Sequence, residues 1–234
     1  MSILCWNARG AACTKFRTTM HYLISSHHME VLFICEPRIS GLKAISMVNS
    51  LGFPRFEIVG PIGFSGGLWL MWDDSRVKVE ILGTHDQAIS ACISWPDKPP
   101  WIFTAIYAKP CGVKRTKLWE YLSFVGGCHN LPWLLAGDFN DMLNSGDKLG
   151  GNLINRLKGF KTWFDQHAMC DLGFSGPKFT WTNKRIFERL DRSICNIQWR
   201  GLFLDAHVIH LPRMKSDHTP IKICLQSQFA YSPI

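Results

Sequence analysis

The 234-residue sequence predicts an α/β fold of two mixed β-sheets packed face to face, with helices on the outside. Three observations carry that expectation. Apolar runs of strand length recur along the whole chain, closed by glycine, proline or short polar turns. Stretches with helical apolar spacing punctuate those runs. No Gly/Pro/Ser-rich linker, internal repeat or low-complexity tract divides the chain, so a single domain over 1–226 is expected, with 227–234 as a loose C-terminal tail.

The elements follow in order. Ile3 to Ala8 reads as the first strand. Thr14 is placed to cap a helix whose apolar residues Phe16, Met20, Leu23 and Ile24 share one face. Val31 to Cys35 is apolar throughout and therefore a central strand. Residues 40–51 read as a helix. Phe56–Val59, Gly67–Trp72, Val77–Leu82, Ala88–Trp95 and Trp101–Tyr107 are strands joined by short turns, which suits antiparallel meanders. Gly66-Gly67 reads as a tight turn rather than a phosphate cradle. Lys114–Phe124 is a helix, followed by a strand opening at Trp133, and Arg156–His167 is an amphipathic helix. The last third alternates short strands and loops and closes with a strand over Pro220–Leu225.

Composition narrows the function classes. The chain is 47% hydrophobic and 19% charged, an ordinary globular balance, and ten Trp and fifteen Phe supply bulk for a core. A net charge of +8 favours a polyanionic partner such as nucleic acid, although Lys and Arg are scattered rather than run together. Nine cysteines include no Cys-x-x-Cys pair, which removes zinc-ribbon and thioredoxin-type motifs. Several lie in apolar runs, as Cys35 does, and read as buried free thiols in a reducing compartment. No signal-peptide pattern opens the chain, and no apolar run approaches the roughly 18 residues of a membrane helix. An intracellular protein, nuclear or cytoplasmic, monomeric and free of membranes, is expected.

Chemistry gathers at strand ends, where open α/β sheets place their sites. The run Trp133-Leu134-Leu135-Ala136-Gly137-Asp138-Phe139-Asn140 drives an apolar strand into a glycine, an acid, an aromatic and an amide. Asp138 and Asn140 are two apart and point the same way on a strand. Asn7, Glu36 and Tyr107 end three other strands, Asp191 lies in Arg189-Leu190-Asp191, and Ser216-Asp217-His218 precedes the last strand. Aligned strands would bring these groups to one rim. There Glu36 is a hard oxygen ligand suited to Mg²⁺, and Asn7 offers a neutral oxygen to the ion or a hydrogen bond to Glu36. Asp138 would orient or deprotonate an attacking water, and Asn140 would hold that carboxylate or the phosphate. His218 would donate to a phosphate oxygen, with Asp191 fixing its tautomer and raising its pKa. Tyr107 would donate to the phosphate or act as a phenolate. Taken singly, each has a plainer reading as a turn residue, an N-cap, a core aromatic or a surface ion pair. Their occurrence together, in this order, outweighs it.

The segments Trp6-Asn7-Ala8-Arg9-Gly10, Ile34-Cys35-Glu36-Pro37, Ile106-Tyr107, Gly137-Asp138-Phe139-Asn140, Phe179-Thr180-Trp181-Thr182-Asn183, Arg189-Leu190-Asp191-Arg192 and Ser216-Asp217-His218-Thr219-Pro220 resemble the endonuclease/exonuclease/phosphatase superfamily, which includes abasic-site endonucleases and DNase I. Within it the chain looks most like the endonuclease domain of plant non-LTR (LINE-type) retrotransposons, through Tyr107-Ala108-Lys109-Pro110 and the Thr180 and Asp191 segments. The resemblance implies a DNase I-like four-layer α/β sandwich and cleavage of a DNA phosphodiester with Mg²⁺, or Mn²⁺ in its place, with RNA left open as substrate. It assigns Asp138 to the attacking water, His218 to the phosphate, Glu36 to the metal with Asn7 and Asp217 beside it, and Thr180 and Ser216 to the phosphate. Abasic-site enzymes carry an acid where this chain has Arg9, so the resemblance does not extend to a second metal or to abasic-site specificity. Lys109, Lys114, Arg115 and Lys117 are placed to grip a backbone, and Arg185 and Arg189 flank a short hairpin at 183–188 able to enter a groove. Trp181 reads as core packing. The rival readings are a phosphatase of the same superfamily and a catalytically silent nucleic-acid-binding remnant.

Overall fold

The computed structural model describes residues 1–63, 66–96, 98–152 and 159–226. Its elements run β1 (Ser2–Asn7), α1 (Thr14–His27), β2 (Val31–Cys35), α2 (Gly41–Asn49), β3 (Arg55–Val59), β4 (Leu68–Trp72), β5 (Lys78–His85), β6 (Ala88–Ser94), β7 (Trp101–Tyr107), α3 (Gly112–Cys128) and β8 (Trp133–Asp138). A 3-10 turn at Ser145–Asp147 leads to β9 (Lys148–Leu149), α4 (Gly159–Gln166), β10 (Cys170–Asp171), β11 (Trp181–Thr182), β12 (Phe187–Glu188), β13 (Asp191–Cys195), α5 (Ile197–Leu202), β14 (His207–His210) and β15 (Ile221–Cys224).

Two six-stranded sheets result, ordered β14-β15-β1-β2-β4-β3 and β10-β13-β8-β7-β6-β5, with a small third sheet β11-β12-β9. Both large sheets are mixed. β1 runs parallel to β2 and β7 parallel to β8, and their other pairings are antiparallel. Alternation along the strands sends one set of side chains between the sheets, where Cys5, Phe33, Leu70, Phe103, Leu134 and Ile221 meet. The opposite set packs under helices. Leu4, Trp6, Ile34 and Trp69 meet Phe16, Met20 and Leu23 of α1 and Val48 of α2. Ile102, Ile106 and Leu135 meet Leu118 and Leu122 of α3 and Phe160 and Trp163 of α4. Helix, sheet, sheet, helix is the expected four-layer sandwich.

Differences from the sequence expectation sit at ends and in polar segments. α1 is capped by Cys13 rather than Thr14, with no side-chain cap bond. α3 opens at Gly112 and continues to Cys128. The helix expected from 156 has its first three residues outside the described set, as does the expected tail at 227–234. α5 was not anticipated; Asn196 caps it by accepting from Trp199 N at 2.9 Å, and Trp199 enters the inter-sheet core. Among the cysteines, Cys5, Cys35, Cys195 and Cys224 are buried as expected, but Cys13, Cys111 and Cys128 are exposed.

Register brings the strand ends level. Asn7 pairs across from Cys35, the residue before Glu36, and both Tyr107 and Asp191 pair across from Asp138. Gly137 permits this last alignment. Its φ is +136°, and a Cβ there would lie 2.1 Å from the Ile106 carbonyl oxygen.

Candidate active site

Asp138 is fully buried and held from three directions. Asn7 Nδ2 donates to its Oδ2 at 2.9 Å, crossing from the first sheet to the second. Asn140 donates twice, from its backbone N to Oδ1 at 2.9 Å and from Nδ2 to Oδ2 at 3.0 Å. Asn140 has a φ of 46°, a left-handed turn that an asparagine accepts better than most residues. The expectation that Asn140 holds the Asp138 carboxylate therefore matches the geometry. Asn7 does not bond Glu36, as the sequence had suggested. It serves Asp138 instead.

His218 is buried beside them. Its Nδ1 lies 2.8 Å from Asp191 Oδ2, the expected pairing, and its Nε2 lies 3.8 Å from Asp138 Oδ2 with no hydrogen-bond partner. With Asp191 accepting at Nδ1, Nε2 is the atom aimed into the site. Burial alone would lower the His218 pKa, but the carboxylates of Asp191 and Asp138 together outweigh it and raise the value to about 9. Burial raises the Asp138 carboxyl to about 7; His218 pulls it down, Asp191 pushes it up, and the Asn7 hydrogen bond pulls it down.

The remaining polar residues position others. The Tyr107 hydroxyl donates to Glu36 Oε1. Burial, and then Glu36, raise the Tyr107 pKa far above that of an ordinary phenol, which favours the donor over the phenolate. Thr180 Oγ1 accepts from Leu190 N at 3.0 Å and Asp191 N at 2.9 Å, which fixes Asp191 rather than a phosphate. Ser216 Oγ donates to the Asn7 carbonyl at 2.7 Å and accepts from His218 N at 3.1 Å; it ties the last loop to the first strand and faces away from a phosphate role. Asp217 leaves the expected metal set, because its Oδ1 lies 3.1 Å from Arg9 Nε and its Oδ2 accepts from Trp181 Nε1 at 2.9 Å. Trp181 is half-buried and works through that bond rather than as core packing.

The basic residues also divide. Arg9, Arg38, Lys109 and Lys114 line a cleft of about 380 Å³ that Glu36 and Tyr107 border. Arg115 is not on its surface; it is buried against Asp141 at 3.0 Å and holds the carbonyls of Lys109 and Pro110. Arg189 likewise turns inward to Asp171 at 2.7 Å. The hairpin of β11 and β12 exists as expected, with Lys184 and Arg185 exposed at its tip. Arg38, which donates to Glu36 Oε2, was missed; its signal was its place two residues beyond Glu36 across Pro37.

Two donor sets could hold a cation. Asp138, Asp191 and His218 have ligand atoms within 4.8 Å of one another. His218 already spends Nδ1 on Asp191 and turns Nε2 toward Asp138, so we read that group as a proton-sharing network. Glu36 and Asn7 carry hard oxygens near the neighbouring ends of β1 and β2; Glu36 gives Oε1 to Tyr107 and Oε2 to Arg38, so a cation that keeps most of its water would fit there in place of the Arg38 contact.

The Endonuclease/Exonuclease/phosphatase family model matches residues 4–218. The chain belongs to this family. Among curated protein sequences, none matches. Solved structures similar to this family member include the AP endonuclease LMAP of Leishmania major, with a TM-score of 0.73 at 15% identity, covering 95% of this chain and 86% of that one. The 3′ phosphatase NExo of Neisseria, bound to product DNA hairpin, gives 0.69 at 14%, covering 97% and 100%. The endonuclease domain of TRAS1, a telomere-specific non-LTR retrotransposon, gives 0.69 at 13%, covering 95% and 96%. At these identities the likeness is one of fold. Among the described residues no helix is long and apolar enough to cross a membrane.

Proposed function

We propose that this family member is a divalent-metal-dependent endonuclease that nicks one strand of DNA by direct attack of water, of the kind carried by plant LINE-type retrotransposons. The observation that carries the reading is the pairing of a triply held carboxylate, Asp138, with a buried imidazole whose Nε2 has no partner. Buried polar groups are nearly always satisfied, so the Nε2 of an imidazole held beside two carboxylates suits an acceptor that enters the site. A phosphate oxygen is such an acceptor, and the imidazolium, fixed by Asp191, donates to it. Asp138 orients the attacking water and takes its proton. Asn7 and Asn140 keep its lone pairs in line. Glu36 and Asn7 would hold the cation, Mg²⁺ or Mn²⁺, which when bound supplies Lewis-acid stabilisation of the leaving oxygen. Arg38 and Lys114 around the cleft, where Lys109 is paired with Asp86, and Lys184 and Arg185 on the hairpin, suit the flanking backbone of a polyanion. The DNA-bound and retrotransposon neighbours support DNA as the substrate.

Plasmid nicking with Mg²⁺ tests this. Wild type should nick supercoiled plasmid, with Asp138→Ala and His218→Ala each at least about a hundredfold slower. Equal rates in all three would sink the assignment. The 3′ phosphatase neighbour motivates one further arm: release of inorganic phosphate from a 3′-phosphorylated oligonucleotide without nicking decides for a phosphatase. Binding with neither reaction decides for a silent remnant.

A further inference from the structure

Glu36 does not stand alone at the rim. Its Oε1 takes the Tyr107 hydroxyl, its Oε2 takes the Arg38 guanidinium, and Arg9 Nε lies 3.9 Å from that same Oε2. The backbone around these three charged residues is fixed. Arg9, Glu36 and Arg38 have φ values of 48°, 52° and 57°, a conformation non-glycine residues seldom adopt. Gly10 N donates to the Glu36 carbonyl at 2.7 Å, Ala11 N to that of Pro37 at 2.8 Å, and Glu36 N to that of Gly67 at 3.1 Å. The side chains differ in how they are held. Arg9 is anchored a second time, on Asp217. Arg38 has Glu36 as its ion-pair partner, its side chain is 38% exposed against 4% for Glu36, and it lines the cleft with Lys109 and Lys114.

We propose that Arg38 couples the binding of two ligands. Its guanidinium competes with a divalent cation for Glu36 Oε2, and a backbone phosphate entering the cleft draws it off, so that polyanion and cation each strengthen the binding of the other. The proposal rests on Glu36 as the cation's ligand. Two like charges on one carboxylate oxygen repel, and a phosphate offers a guanidinium a bidentate acceptor of higher charge. The coupling is reciprocal: the factor by which DNA tightens the cation equals the factor by which the cation tightens DNA.

The test measures Mn²⁺ affinity of the whole chain by electron paramagnetic resonance, for wild type, Arg38→Met and Arg38→Lys. Folding is checked by circular dichroism and nicking is run in parallel. Arg38→Met should bind Mn²⁺ about tenfold more tightly than wild type, and Arg38→Lys should stay close to wild type. In an Asp138→Asn background, where no strand is cut, fluorescence anisotropy then reads the affinity for a labelled DNA duplex with and without Mn²⁺ at constant ionic strength. Mn²⁺ should tighten the duplex when Arg38 is present and tighten it less with Arg38→Met. Unchanged or weaker Mn²⁺ binding by Arg38→Met, in a protein whose wild type binds Mn²⁺ and nicks, overturns this proposal and leaves the endonuclease reading intact. A folded wild type that neither binds Mn²⁺ nor nicks overturns both.

Discussion

Asp138 and His218 sit 3.8 Å apart, and each sets the charge that the other feels. On the proposed chemistry Asp138 must be ionised and His218 protonated. With values of about 7 and about 9, nicking should climb as pH rises through about 7 and fall as it passes about 9. Asp191→Asn removes the main charge that raises His218, so the falling limb should move to lower pH; a falling limb that stays put would separate Asp191 from that task. The same groups shape stability, with one sign. Both fold with values above their ordinary 3.8 and 6.5, so the folded state holds protons that the unfolded chain has released. Their contribution is complete below those ordinary values and is lost as pH rises through about 7 and then about 9. Thermal melts of wild type and His218→Gln should therefore converge as pH passes about 9. That Asn140 holds Asp138 was legible because the two are neighbours in sequence, and that Asp191 pairs with His218 was legible from the chemistry of an acid orienting an imidazole, although they lie 27 residues apart. That Asn7 serves Asp138, and Tyr107 serves Glu36, was not legible, because both contacts cross from one sheet to the other and no spacing encodes them.

Between elements, one glycine and one charge network do the positioning. The Gly137 Cα faces the Ile106 carbonyl so closely that Gly137→Ala must spread β7 from β8. We expect a loss of roughly 2–4 kcal/mol, measured by urea unfolding, with activity reduced beyond the loss of folded protein. The small sheet is fastened by ions. Arg192, fully buried, donates to Asp147 Oδ2 at 2.8 Å and Asp171 Oδ2 at 2.7 Å, and Arg189 reaches Asp171 Oδ1 at 2.7 Å. Asp147 also accepts from the backbone N of Leu143 at 3.0 Å and of Asn144 at 3.2 Å. Asp147→Ala leaves Arg192 with Asp171 as its carboxylate partner and removes the acceptor of two backbone N–H groups, and should cost about 2–3 kcal/mol in the same experiment. A loss below about 1 kcal/mol would mean that Asp171 alone suffices. This network escaped the sequence reading for a physical reason. In sequence Arg189 flanks the expected hairpin and Arg192 follows Asp191, and only the folded chain brings Asp147 and Asp171 to them. The strands β9, β11 and β12, two residues each, carry too few residues for periodicity to register.

At the scale of the whole molecule, the two sheets were legible because their central strands are buried on both faces and so read as unbroken apolar runs, as in Val31–Cys35 and Trp133–Ala136. The charge of +8 makes a prediction of its own: affinity for duplex DNA should fall steeply between about 50 and 200 mM salt, with little preference among sequences. Anisotropy titrations that show a flat salt response would contradict it. A last consequence follows from where the first strand lies. β1 is a central strand, paired with β2 on one side and with β15 on the other, and Trp6 Nε1 donates to the His218 carbonyl at 3.2 Å. The partner that completes its sheet, and the imidazole that faces Asp138, both emerge from the ribosome some two hundred residues after it. A nascent chain can assemble much of the second sheet early, with Asp138 in it, while the first waits with an open edge. On the proposed reading, a half-made polypeptide is harmless to the nucleic acid around it. The cutting centre comes into being only when synthesis has passed its final strand.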